Sequence, residues 1–260
     1  MQSHPLRNQP QQKGLRGVLY RRFTNRLVAS AQGRRHILNQ MAFAEDSDEG
    51  VIFDMLLERI DDPELHKWVQ LHQADEQRHA EMFLTALERN GFEPFPVPPE
   101  LSLLDRLDKA LGGFFDTFTQ RENPVMEAYL LLQVIEERAT TQFTDLAPAF
   151  ERYDPKTAEI LAQIAKDEQR HLKYCVAIAR RYAPNPEVAT ATLNQFRDVE
   201  AQVFSKLSIA NIEHALSNEL PDMSPFELRL WQGILSVLKR VNQPIRTPFA
   251  NLANHKPIVA

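Results

Sequence analysis

Two stretches of this chain repeat one chemical statement: Asp75-Glu76-Gln77-Arg78-His79 and Asp167-Glu168-Gln169-Arg170-His171. Each contains Glu-x-x-His. On a helix, residues i and i+3 lie side by side, so a carboxylate oxygen and an imidazole nitrogen can reach one point. Such a point suits a metal ion. One copy would be weak evidence, because surface helices carry this spacing by chance, but two copies inside apolar helical patterns describe a bundle with a dinuclear carboxylate site. That design needs one more glutamate from each of two other helices, and the stripes below place Glu45 and Glu136 there.

The elements that must position these groups are helical. Only eight glycines appear in 260 residues, and the seventeen prolines fall mainly between helical patterns, so the chain reads as all-α. Helix A is expected from about Arg35 to Arg59, with Leu38, Ala42, Glu45, Glu49, Ile52 and Leu56 facing inward. Asp62 caps helix B, Pro63 opens it, and Trp68, His72, Glu76, His79, Phe83 and Leu87 form its inner stripe up to Asn90-Gly91.

A proline-rich stretch from Phe92 and a short helix from Leu101 to about Gln120, interrupted at Gly112-Gly113, make a long crossover. Helix C is expected from Pro124 to Tyr153, with Tyr129, Leu132, Glu136, Ala139, Phe143, Leu146 and Phe150 on its stripe. Glu136 falls on the stripe and Glu137 does not. After an Asp154-Pro155 turn, helix D carries Leu161, Ile164, Glu168, His171, Cys175 and Ile178 inward. The long link between B and C predicts a ferritin-like four-helix bundle, as opposed to an up-down-up-down one. In each half, 31 or 32 residues separate the paired glutamates, Glu45 from Glu76 and Glu136 from Glu168, so all four sit at similar depth.

The organisation follows: residues 1–34 form a basic N-terminal arm and helix, 35–183 the bundle, and 184–260 an extension with two further helices, about Pro186 to Ser217 and Ser224 to Val241. Residues 1 to about 12 read as disordered. In the arm, Leu15, Val18, Leu19, Phe23 and Leu27 oppose several arginines. It serves either as a helix packed on the bundle with a solvated basic face, or as an arm for RNA, a membrane surface or an acidic partner. The extension reads as packing or as the surface of a homodimer. The net charge of −5 hides an acidic bundle behind that basic arm, which argues against a general nucleic-acid surface. The lone Cys175 excludes an intramolecular disulfide, and no run of about twenty apolar residues appears, so a cytoplasmic location is the expectation.

Four carboxylates and two imidazoles buried without cations would be prohibitive, whereas two divalent ions bring the set near neutrality. Oxygen and imidazole donors without thiolates suit iron, with manganese the alternative, over a structural zinc. The ligand set is Glu45, Glu76, His79, Glu136, Glu168 and His171, with Glu49, His72 and Glu137 as less favoured candidates. Tyr129 lies one turn from a ligand, either as core packing or as a hydrogen-bond donor to a ligand carboxylate.

These residues resemble the ferritin-like diiron-carboxylate superfamily, matching its four-Glu, two-His set one for one. Ile135-Glu136-Glu137-Arg138-Ala139, Phe143 and the Asn90-Gly91 exit look most like the bacterial tRNA-hydroxylating diiron monooxygenases, and rubrerythrin-like proteins share part of that pattern. The chain has no Cys-x-x-Cys, so a rubredoxin-type domain is missing. The resemblance implies an O2-activating diiron oxidoreductase, a monooxygenase or hydroxylase with an external electron donor. Its substrate would be a small molecule or a modified RNA. The alternative is a ferroxidase or peroxidase without organic substrate.

Overall fold

The computed structural model describes residues 14–46 and 49–249. They are helical, with no strand among them: α1 (Gly14–Ala29), α2 (Ala31–Asp46), α3 (Glu49–Leu57), α4 (Pro63–Arg89), α5 (Leu103–Ala110), α6 (Pro124–Tyr153), α7 (Pro155–Tyr182), α8 (Pro186–Ser217) and α9 (Pro225–Val241). No described helix is long and apolar enough to cross a membrane. Helix A of the sequence reading corresponds to α2 and α3, and residues 47–48 lie outside the described residues. The crossover is less helical than expected, because Gly112 and Gly113 both take positive φ and end α5 early.

Helices α6 and α7 form a tight hairpin, α2 and α3 pack along α4, and α4 closes against α7. The turns are built by local chemistry. Asp62 accepts from the backbone N–H of Glu64 and Leu65 ahead of Pro63, and Gly91, at φ 78°, lets the chain leave α4. Gly33 lets the start of α2 press on the end of α1, where a Cβ would lie 1.9 Å from the Leu27 carbonyl oxygen.

Asp154 ties the two hairpins together. It caps α7 through Thr157, accepts from Arg89 Nη2 at 2.9 Å and Asn90 Nδ2 at 2.9 Å, and so joins the end of α4 to the α6–α7 turn. Loss of a cap costs about 0.5–2 kcal/mol, and a part-buried ion pair adds to that. Asp154→Ala is therefore expected to destabilise by about 2–3 kcal/mol, read as a lower urea midpoint with an unchanged slope.

The core has a division that bears on function. One apolar cluster holds Ile52, Leu56, Val69, Leu132, Cys175 and Ile178, and a second holds Leu38, Ala42, Phe83, Phe143, Leu161 and Ile164. On every one of the surrounding helices the candidate ligands fall between the two clusters. A belt of buried polar groups thus cuts across an otherwise apolar interior.

Helix α6 is buried on nearly every face, because α1 and α8 cover the sides turned away from α7. On the α1 stripe Phe23 and Leu27 are buried as expected, together with Val28, but Val18 is 52% exposed. Arg26 pairs with Glu227 of α9 and Arg21 lies 3.8 Å from Asp145, so part of the basic face is spent within the chain.

At the α2–α8 contact His36 stacks on His214, ring centres 5.1 Å apart. Burial, then the neighbouring His214, depresses the His36 pKa to about 4, against about 6.5 in an unfolded chain. The unfolded state alone takes up that proton between these values, so the stability from a neutral His36 is present above pH 6.5 and lost as pH falls toward 4. His36→Phe is expected to flatten this acid limb in a melting-temperature series from pH 7 to pH 4.

Candidate metal centre

Two groups of ligand atoms converge in the polar belt. His72, Glu76, Glu136 and His171 form one, and Glu45, Glu76, His79 and Glu168 the other, with the offered atoms of each group within 4.8 Å of one another. Glu76 belongs to both. Buried His and Glu clusters of this kind can hold a metal ion.

Each group comes from separate helices: α2 supplies Glu45, α4 supplies His72, Glu76 and His79, α6 supplies Glu136, and α7 supplies Glu168 and His171. The 3.6-residue repeat of α4 puts positions 72, 76 and 79 on one face, which is why three donors emerge from a single helix.

His171 Nδ1 lies 2.9 Å from Glu76 Oε1, 2.9 Å from Glu168 Oε2 and 3.7 Å from Glu136 Oε1. His79 Nδ1 lies 3.3 Å from Glu76 Oε2, 3.5 Å from Glu168 Oε1 and 3.6 Å from Glu45 Oε2. One N–H can serve one oxygen well, yet each nitrogen faces three. Glu76 Oε1 and Glu168 Oε1 are enclosed and find no properly angled donor, although imidazole nitrogens approach Glu76 Oε1 closely. Crowded acceptors without donors are what a cation resolves.

The electrostatics agree. Burial, with the neighbouring carboxylates, drives Glu168 well above the ordinary carboxylate range, and burial does the same to Glu45. Burial would also raise Glu76, but His171, His72 and His79 outweigh it and hold the group well below that range. Burial would lower the two histidines, yet Glu45 and Glu76 lift His79 to about 10, and Asp75 with Glu76 lifts His171 to about 9. Burial thus favours protonated Glu45 and Glu168, and the carboxylates favour protonated His79 and His171. Divalent ions can take the place of those protons.

No protein-family model, curated protein or solved structure matches this chain. The functional reading therefore rests on the site alone.

The structure brings together all six residues proposed as ligands: Glu45, Glu76, His79, Glu136, Glu168 and His171. His72, set apart as less favoured, joins them, with Nε2 2.8 Å from Glu136 Oε1 and its ring centre 4.0 Å from that of His171. Glu137 is corrected: it turns away from the belt and pairs with Arg197 of α8, also accepting from Gln133 at 3.1 Å. The Glu49 side chain lies outside the described residues. Tyr129 is fully buried, but its hydroxyl finds no hydrogen-bond partner among the described residues. It donates to no ligand carboxylate and packs in the core, and burial, then Cys175 and Glu136, raises its pKa.

Sequence reasoning passed over the residues that orient the imidazoles. Asp75 of the first motif accepts from His171 Nε2 of the second at 3.2 Å, and Asp167 of the second faces His79 Nε2 of the first at 3.4 Å. Arg78 and Arg170 each bridge both aspartates, at 2.5 to 3.1 Å. Burial opposes ionisation of both aspartates, but these partners outweigh it and keep them ionised. An ionised carboxylate only accepts, so Nε2 carries the proton and Nδ1 turns to the interior. The signal was present, since Asp and Arg recur with Glu and His in both copies. Loss of such an outer partner typically costs 10–100-fold in metal affinity. Asp75→Ala and Asp167→Ala are each expected to weaken Mn(II) binding by about that factor in calorimetry, Asp75 through His171 and Asp167 through His79.

Proposed function

We propose that this chain is a ferritin-like, dinuclear-metal oxidoreductase of the O2-activating kind, with an organic substrate. The observation that supports it most is the overlap of two four-residue donor groups on the single residue Glu76. Two overlapping groups would hold two ions, with Glu76 a donor to both. An isolated structural metal would need only one group.

Glu45, Glu76, His79 and Glu168 would hold one ion, and His72, Glu76, Glu136 and His171 the other. The donor set fits: oxygen and imidazole ligands without thiolate suit iron, with manganese the alternative, and the enclosed Glu76 and Glu168 oxygens without hydrogen-bond donors suit a cation. When bound, a reduced iron pair would supply the electrons that activate O2. The protein's own part is to hold the imidazoles by Asp75 and Asp167, to keep water out with the apolar clusters on either side, and to carry the protons that balance the carboxylates. The crossover contributes Leu101 and Leu104 to the apolar wall beside Glu45 and Glu76.

The test is metal analysis of purified protein, followed by anomalous diffraction at the iron and manganese edges and measurement of O2 uptake with a chemical reductant. Two ions per chain and reductant-dependent O2 uptake are expected. One ion or none per chain would reject the dinuclear reading, and two ions without O2 uptake would reject the oxidoreductase reading.

A further inference from the structure

The face of α9 turned away from the bundle is apolar. Trp231 and Leu235 are buried beneath it, whereas Phe226 is 76% exposed and Leu230, Val237 and Val241 are 49–57% exposed. Positions 226, 230, 237 and 241 fall on one side of a 3.6-residue repeat, where a surface helix ordinarily carries charged or polar residues. Gly233 sits in the middle of the row and faces open space. With Leu19 of α1 the row lines a groove of about 550 Å³. A contiguous exposed apolar patch of this kind marks an interaction site.

The rim of the groove is cationic. Helix α1 runs antiparallel to α9, since Arg26 pairs with Glu227 and the Phe23 and Trp231 rings meet with centres 5.0 Å apart. The exposed Arg22 of α1 therefore stands on one edge, and the exposed Arg229 and Arg240 flank the apolar row on the other. None of these three arginines has an ion-pair partner among the described residues. The acids alongside are already engaged, Glu227 by Arg26 and Glu213 by Lys239. The exposed Glu219 and Asp222 precede α9, at its Phe226 end. At the Val241 end, where α1 begins, residues 1–13 of the sequence add Arg7 and Lys13 and no acid.

Charge chooses among the occupants. A second copy docked by the same face would bring its own arginines against these, and like charges oppose association. A nucleic acid would satisfy the cations but leave the apolar row against water. A protein partner calls for polar groups spread across the patch, roughly one hydrogen bond per 100–200 Å². The row between the arginines offers none, and Ser236 beside it donates to the Gln232 carbonyl of its own helix. An anionic bilayer answers both features, its acyl boundary taking the apolar row and its headgroup phosphates the guanidiniums.

We infer that the α1–α9 face docks on an anionic lipid surface, with Phe226, Leu230, Val237 and Val241 at the acyl boundary and Arg22, Arg229 and Arg240 at the headgroups. Helix α9 then lies along the interface without crossing it, in keeping with the absence of a spanning helix among the described residues. This docking goes beyond the metal centre and does not depend on it.

Flotation of the full chain with vesicles tests it, using phosphatidylcholine alone and equal parts of phosphatidylcholine and phosphatidylglycerol. Binding to the mixed vesicles is expected to be tighter by at least about ten-fold and to weaken as salt is raised. Leu230→Ser with Val237→Ser removes half-exposed apolar surface and is expected to weaken that binding about ten-fold. Arg229→Gln with Arg240→Gln is expected to weaken it about twenty-fold, at about five-fold per arginine, and to flatten the salt dependence. Leu71→Ser, which changes an exposed apolar residue of α4, is expected to leave binding unchanged.

Absence of binding by the unmodified chain, equal binding to both kinds of vesicle, or an equal loss in Leu71→Ser would each overturn the inference. Sedimentation equilibrium supplies a further check. A dimer of the unmodified chain that Leu230→Ser with Val237→Ser dissolves would make the face an interface between copies and would also overturn it.

Discussion

Glu76→Ala is expected to empty the whole centre, not half of it. Glu76 offers atoms to both donor groups, with Oε1 close to His72 and His171 and Oε2 close to His79. Removing an outer aspartate should cost 10–100-fold, so removing the shared carboxylate is expected to cost well over ~100-fold at both positions. Elemental analysis should fall from two ions per chain to fewer than one, with the helical circular dichroism retained. Mn(II) is expected to raise the melting temperature of the unmodified protein by binding its folded state, and that rise should vanish in Glu76→Ala. Glu45→Ala makes the contrast, since that residue belongs to one group and its loss should leave one ion bound. Retention of two ions by Glu76→Ala would show that Glu76 is not a donor to both positions.

The second large effect lies outside the candidate ligands. Neighbouring residues of α6 form two buried ion pairs with α8, Glu137 with Arg197 and Arg138 with Glu200, and Arg138 also lies over the Phe204 ring at 3.7 Å. Desolvating such pairs consumes much of what their attraction returns, so their presence is weak evidence of stabilisation. Removing one partner is different. Glu200→Ala strands the Arg138 guanidinium in an apolar wall and is expected to cost about 3–5 kcal/mol, a fall of on the order of 10 °C in melting temperature for a chain of this size. Arg138→Met with Glu200→Met removes both charges and is expected to return most of that stability. A calorimetric cycle of the two singles and the double measures the difference. A double variant no more stable than Glu200→Ala would show that the Arg138 contacts with Ile245 and Phe204, and not charge burial, carry the effect.

These two regions show where sequence sufficed. The extents of α4, α6, α7 and α8 were legible because each is announced by local chemistry, an Asp or Asn cap followed by proline at the first turn. The six candidate ligands were legible because carboxylates and imidazoles standing on apolar stripes at helical spacing must be buried together, and burial of that many charges favours cations that balance them. The exposure of Val18 was not, because periodicity gives a face, but the neighbour that covers it decides which of its residues are inside.

What the sequence determined by itself was the helical class, the stops between helices and a set of groups able to hold a metal ion, because those depend on neighbours three or four residues away. What only the tertiary structure decided was how distant groups complete one another. Asp75 supports His171 and Asp167 supports His79, each across to the other motif's helix. Glu137 is claimed by Arg197, and Arg138 by Glu200. Those choices are made by charges that must be paired once water is excluded, and no spacing along the chain records which distant partner will be there.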